Sequence, residues 1–314
     1  MTTDEDRPLL SLVVPMYNEE DGLDAFFARI FRAVEHLPAR VEIVCVDDGS
    51  ADGTLGALRK HREKNAAVKV VALSRNFGKD IALTAGLDHA AGDAVVPLDA
   101  DLQDPPEVVA DLFAKWREGY EVVEARRATR GGDSFTKRKT AGWFYRIFNL
   151  LSNQPIPENV GDFRLMDRKV AEAVRRMPEA NRFMKGLFAW VGFRRTTVEY
   201  NRGDRTEGTT KWNYWKLFNF AVDGIVAFSS LPLRIWSYIG FAVSGFSFLY
   251  GSFLILRTLL LGRDVPGYAS IMTVMLFLGG IQLISLGVIG EYIGRIHEEV
   301  KRRPLYIVRE KHGV

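Results

Sequence analysis

The chain is short of several things that would narrow its chemistry at once. It has a single cysteine, Cys45, so no intramolecular disulfide can form. Cys45 lies in an apolar run and reads as a small core residue, in a protein that does not depend on oxidation. The histidines, His36, His61, His89, His297 and His312, show no metal-ligand spacing and read as surface or structural. No G-x-G-x-x-G follows the first apolar run, which leaves a dinucleotide-binding fold with little support. Neither sign of charge prevails: 42 basic and 39 acidic residues give a net +3. The global balance therefore names no partner, and none made of nucleic acid is expected. Met1 to Arg7 is polar and acidic and carries no signal-peptide pattern. The 314 residues suit one large domain or two small ones.

Long charge-free runs, by contrast, are present. Ile235 to Leu256 and Tyr268 to Gly290 contain no charged residue. Each reaches the roughly 20 apolar residues that span a bilayer. Arg257 to Gly267 joins them. Arg295, Lys301, Arg302, Arg303, Arg309 and Lys311 follow the second run. Positive-inside reasoning places this tail in the cytoplasm. Two spans then put the N-terminal region on the same side, at the inner (plasma) membrane. Gly279-Gly280 and Gly287-x-x-Gly290 would allow close helix packing, and a homo-oligomer is expected.

The first half alternates. Apolar strand-like runs cover Leu9–Met16, Val41–Val46, Val68–Leu73 and Ala94–Leu98. Helical spacing covers Asp21–His36, Thr54–Lys64 and Asp80–His89. Alternation of this kind implies right-handed crossovers and a parallel sheet covered on both faces. Each strand ends in a polar motif: Pro15-Met16-Tyr17-Asn18-Glu19, Asp47-Asp48-Gly49-Ser50, Ser74-Arg75-Asn76-Phe77-Gly78-Lys79 and Asp99-Ala100-Asp101-Leu102-Gln103-Asp104-Pro105-Pro106. Open α/β sheets bind ligands at that edge. The last motif is the most telling. Residues i and i+2 of an extended chain point the same way, so Asp99 and Asp101 present two carboxylates on one side, with Gln103 next in the row. Hard divalent cations take such oxygens and complete their shell with water and substrate phosphate.

Farther on, Arg126 to Lys139 is basic and glycine-containing and reads as a loop. Aromatic stretches at Trp143–Leu151 and Trp212–Phe220 read as interfacial helices.

Together with Gly161-Asp162-Phe163-Arg164-Leu165-Met166 and the ending Arg303-Pro304-Leu305-Tyr306, these motifs resemble the family 2, GT-A-fold glycosyltransferases. The match is to the polyprenyl-phosphate branch and most to the bactoprenol glucosyltransferases, which are related to dolichyl-phosphate mannose synthase. The resemblance implies an α/β fold: a GT-A, Rossmann-like, mostly parallel sheet, then interfacial amphipathic helices and two transmembrane helices. The expected divisions are a cytoplasmic catalytic domain over 1–210, juxtamembrane helices over 211–233, a hairpin over 234–294 and a basic cytoplasmic tail over 295–314. By the same resemblance, Pro15, Tyr17, Glu19, Val46, Asp48, Asp99, Ala100, Asp101, Arg205 and Lys211 would bind the nucleotide sugar. Asp99, Asp101 and Gln103 would attend Mg²⁺ or Mn²⁺. Asp162, Asp101 and Arg126 would be the catalytic set.

Glycosyl transfer needs the departing diphosphate's charge stabilised. A metal does this without a proton, and Arg126, Arg205 and Lys211 add fixed positive charge. The presumed nucleophile is a phosphate monoester whose second pKa is about 6, so no strong base is required. Asp162 is expected to orient a sugar hydroxyl or the acceptor, or to take a residual proton. Arg127, Arg130, Lys137 and Arg138 form a loop expected to close over lipid phosphate. The implied reaction is inverting transfer of a hexose, with UDP-glucose as favoured donor, to undecaprenyl phosphate. GDP-mannose and a UDP-aminoarabinose derivative are alternative donors. A processive polysaccharide synthase is disfavoured because Gln-x-x-Arg-Trp is absent, and a noncatalytic scaffold because the acidic and basic motif residues are intact.

Overall fold

A computed structural model describes residues 7–128, 160–180, 182, 184–201, 231–261 and 267–314. Its centre is built from strands β1 (Leu9–Met16), β2 (Arg40–Asp47), β3 (Val68–Leu73) and β4 (Ala94–Pro97). Helices α1 (Leu23–Val34), α2 (Thr54–Lys64) and α3 (Lys79–His89) connect them in turn, and α4 (Val108–Arg117) follows β4. Strand side chains alternate between faces, and the sequence exploits this. Leu10, Leu12, Val14, Ile43 and Cys45 pack beneath Phe26, Phe27, Leu58 and Phe113 of α1, α2 and α4. Val13, Val44, Val46 and Val71 face the other way, against Ala82, Leu83 and Ala85 of α3. Both faces are therefore covered, as near-continuous apolar strands require.

Beyond α4 come β5 (Val122–Arg127), β6 (Val160–Asp167), α5 (Arg168–Arg175), α6 (Met184–Trp190) and β7 (Arg195–Tyr200). With β8 (Val308–His312), the sheet order is β7-β5-β6-β4-β1-β2-β3-β8. The block β4-β1-β2-β3 is parallel. β6 runs antiparallel to both β4 and β5, while β5 and β7 are parallel. The expected α/β class and mostly parallel sheet are what the structure holds. The chain winds outward from β1 through β2 and β3, then returns to β4 on the other side. The crevice between β1 and β4 is thus a topological switch point.

Two long helices follow, α7 (Leu231–Leu261) and α8 (Tyr268–Val300). Ser270–Val300 has a mean hydropathy of 2.1 and is long and apolar enough to cross a membrane. The described apolar stretch of α7, Tyr238–Leu254, is shorter, so among the described residues one helix meets that criterion where the sequence reading expected two. Large side chains on both helices are bare, among them Phe241 at 80% exposure and Leu283 at 72%. A buried core helix would have covered them.

The tail departs most from expectation. It returns to the N-terminal sheet and pairs β8 antiparallel to the edge strand β3. The Ser74 N–H donates to the Ile307 carbonyl at 2.9 Å. Tyr306 Oη donates to Asp88 at 2.8 Å, and Arg59 pairs with Glu310. At the last turn of α8, Glu299 accepts the Ala180 N–H at 2.8 Å.

A Cβ at Gly86, on the inner face of α3, would collide with Val13 on β1. Overpacking of this kind costs about 1–3 kcal/mol. Gly86→Ala should lower the urea midpoint accordingly, and the double variant Gly86→Ala/Val13→Ala should recover most of a loss measured against Val13→Ala alone.

Candidate active site

The four polar motifs meet at the C-terminal edge of β1 to β4, because parallel strands end on one side. A cavity of about 710 Å³ opens there, lined by Tyr17, Glu19, Asp48, Lys79, Asp99 and Asp101 among others. Backbone bonds hold its rim. Asn18, with φ of 56°, donates its N–H to Ser50 Oγ at 3.0 Å, and its side chain accepts the Ala51 N–H at 2.9 Å. The Glu19 N–H donates to Thr54 Oγ1 at 2.9 Å. The loops after β1 and β2 are therefore one unit. Gly49 sits at φ +67°, and any Cβ there would strike the Arg75 backbone. Only glycine allows this approach.

Asp48 ties in the third loop. Its N–H donates to the Met16 carbonyl at 2.9 Å. Its carboxylate accepts the Phe77 N–H at 2.7 Å and the Gly78 N–H at 2.9 Å. Burial still raises Asp48 above the ordinary carboxylate range.

On the opposite wall the acids converge on one cation. Lys79 Nζ lies 2.7 Å from Asp99 and 3.2 Å from Asp162. Burial works to lower the Lys79 ammonium, but its two carboxylates outweigh that and raise it. Asp99 is nonetheless raised by burial and by Asp162 and Asp101, against the pull of Lys79. For Asp162 burial is overcome by Lys79, Lys185 and Arg164, which hold it below the ordinary range. Glu19 is raised by burial, then by Asp101, Asp52 and Asp99. Asp80 is pushed up to about 6 by burial and Asp162, against Lys79 and Lys185.

Asp99 and Asp101 line one cavity, and Asp99 already holds a cationic group. The donor set therefore fits a hard divalent ion that takes its remaining ligands from diphosphate and water. Among the described residues no three His, Cys, Asp or Glu side chains converge as a self-sufficient metal site.

The other expected residues distribute as follows. Pro15, Tyr17, Glu19, Asp48 and Ala100 line the cavity. Val46 does not; it is fully buried in the layer under α3, because alternation along β2 turns it away from the opening. Gln103 is also buried, and its backbone N–H donates to Asp101 at 3.1 Å. Arg126 is exposed on β5. Arg127 turns to the other side, 3.6 Å from Asp104 and 3.3 Å from Tyr200 Oη, which itself donates to Asp104 at 2.6 Å. Arg130, Lys137, Arg138, Arg205 and Lys211, with both aromatic stretches, lie outside the described residues. The sequence reading assigned no role to Lys79, Asp80, Asp104 or Tyr200. The signal for Lys79 was its place, directly after Gly78, where a helix starts at the ligand-binding edge.

Comparison with known proteins bears on this geometry. Residues 11–175 match the model for glycosyl transferase family 2, and residues 231–296 match that for the GtrB C-terminal hairpin. The chain belongs to glycosyl transferase family 2. As a member it is an enzyme, and the acid-lined cavity lies within the matched region. It is 57% identical to the glycosyltransferase sll0501 of Synechocystis sp., over 97% of this chain and 96% of that one. It is 50% identical to the SfII prophage-derived bactoprenol glucosyl transferase of Shigella flexneri, over 96% of this chain and 98% of the relative. The prophage bactoprenol glucosyl transferase homolog of Escherichia coli K12 is also 50% identical, over the same shares.

Asp80 offers a pH test of the site's electrostatics. Its folded pKa of about 6 stands above the ordinary 3.8. The folded state therefore binds more protons than the unfolded one between those values, and stability falls as pH rises through that window. The penalty is absent below pH 3.8 and complete above about 6. Asp80→Asn should remove it. Melting curves of the two proteins should diverge between pH 4 and 7 with the variant the more stable at the upper end; parallel curves would show no penalty.

Proposed function

We propose that the chain moves glucose from UDP-glucose onto undecaprenyl phosphate, with inversion, at the cytoplasmic face of the inner membrane. One observation carries this reading. A single chain joins an acid-lined cavity of nucleotide size to a helix long and apolar enough to cross a membrane. A water-soluble donor and a lipid-bound acceptor need that pairing. The names of the relatives supply glucose and bactoprenol.

In this reading the acceptor phosphate oxygen bonds to the anomeric carbon as the bond to the UDP oxygen breaks, so one displacement inverts the centre. Asp99 and Asp101 would hold Mg²⁺ or Mn²⁺, which would supply positive charge to the departing diphosphate. Pro15, Tyr17, Glu19 and Asp48 seat the nucleoside. The Gln103 N–H steadies the Asp101 carboxylate. Asp162, kept ionised by its cationic neighbours, orients sugar or acceptor, since a phosphate nucleophile is already largely ionised above pH ~6. Arg126, Arg205 and Lys211 would counter the diphosphate charge, and Arg130, Lys137 and Arg138 that of the lipid phosphate, for which Arg127 would first have to leave Asp104 and Tyr200. Both α7 and α8 cross the bilayer with the termini in the cytoplasm, and the uncrowded glycines of α8 suit a homo-oligomer.

The deciding assay supplies purified enzyme with Mg²⁺ or Mn²⁺, undecaprenyl phosphate and a panel of sugar nucleotides, with lipid-linked sugar read by mass. UDP-glucose should give the product. A product from GDP-mannose alone would change the sugar, and a soluble polymer would replace the reaction class. Asp101→Asn should lower kcat by about 10²-fold or more, a loss of about 2.7 kcal/mol in transition-state stabilisation. Asp162→Asn should slow transfer with a nearly flat profile above pH ~7; recovery at high pH would make Asp162 a general base instead.

A further inference from the structure

The acidic wall of the cavity is closed by a group from the protein itself. Lys79 begins α3, on the loop that Asp48 pins through Phe77 and Gly78. Its ammonium reaches across to Asp99 at 2.7 Å and Asp162 at 3.2 Å. Asp101, Glu19 and Asp48 line the same cavity, and Lys79 is the one cationic side chain among its described lining residues. Its side chain is 46% exposed, so it is free to swing.

We infer that Lys79 is an internal counter-ion that occupies the Asp99 carboxylate in the donor-free enzyme and must leave it before a divalent cation can bind there. This rests on the reading of the cavity as a metal–nucleotide site. Lys79 Nζ lies 2.7 Å from one Asp99 oxygen and 2.9 Å from the other, so a divalent ion on either oxygen would meet the ammonium at close range, and their repulsion in a partly desolvated pocket opposes joint occupancy. Two carboxylates alone are a weak site for a hard ion. With Lys79 on one of them, the free enzyme discriminates against bare metal. A metal–diphosphate complex brings its own oxygens and displaces the ammonium, which keeps its second partner, Asp162. Lys79 thereby makes metal binding conditional on the donor. It is a positioning residue for the metal and needs no change of its own charge.

The test measures bound Mn²⁺ by electron paramagnetic resonance on the full chain in detergent, with and without saturating UDP, after subtraction of Mn²⁺ chelated by free UDP. Wild type should bind Mn²⁺ at least tenfold more tightly with UDP than without. Lys79→Gln should bind Mn²⁺ without UDP at least tenfold more tightly than wild type, and Lys79→Met should match it if the glutamine variant fails to fold. Lys79→Arg, which keeps a cation at Asp99, should stay close to wild type. Lys185→Gln removes a nearby charge that acts on Asp162 and should gain less than threefold. Absence of wild-type Mn²⁺ binding even with UDP would overturn the metal–nucleotide reading itself. A normal UDP effect in wild type with no gain in either neutral Lys79 variant would overturn the role of Lys79 alone. Equal gains in Lys79→Gln and Lys185→Gln would reduce it to long-range charge and overturn it equally.

Discussion

One carboxylate holds the working edge of this enzyme together. Asp48 directly follows β2, and its backbone N–H is given to β1 while both side-chain oxygens receive N–H groups from the loop after β3. Three strand ends that share no covalent neighbourhood are thereby fixed to one another. The anion is buried and its desolvation is unfavourable, yet two backbone donors offset much of that cost. The same group braces the loops and also lines the cavity, which is why the loop that delivers Lys79 is as well placed as the strand that delivers Asp99.

Electrostatic balance is the second theme. Four acidic side chains, Glu19, Asp48, Asp99 and Asp101, line one cavity, and beyond burial the Asp101 charge helps raise the proton affinity of both Glu19 and Asp99. Lys79 relieves part of that repulsion. Behind the wall a fully buried pair, Glu124 and Arg164 at 3.6 Å, lies one strand step from Asp162. Arg164 also donates to the Gly161 carbonyl at 2.7 Å and lies over the Phe188 ring. Buried pairs of this type contribute little net stability, but Arg164 helps keep Asp162 ionised and fixes the backbone on which it stands.

The sheet and its ligand edge were legible because their signals are local. Near-continuous apolar runs located β1 to β4 almost to the residue, and the polar motif after each run located the cavity wall. Contacts between distant segments were not legible. Lys79 and Asp99 are 20 residues apart; their motifs share one edge, but neither motif says that these two side chains pair. The burial of the Val46 side chain was not legible either, because a residue beside a motif need not face the same way as the motif. Strand β8 escaped notice for a different reason. Val308-Arg309-Glu310-Lys311-His312 has no apolar face, and charged residues are what exposed edge strands use to discourage pairing with other chains. A composition that reads as solvated tail is here the finish of a sheet.

That finishing strand sets an order of events. The chain is made from its N-terminus, so β3 emerges early, while its partner β8 follows only after the whole of α7 and α8. Until then the β3 edge carries unpaired N–H and C=O groups, including the Ser74 N–H beside the cavity loop. The catalytic sheet therefore completes itself after the membrane-type helices have been synthesised. A chain arrested before β8 would display an open edge and lack its full scaffold, so completion of the enzyme is coupled to completion of its two long apolar helices.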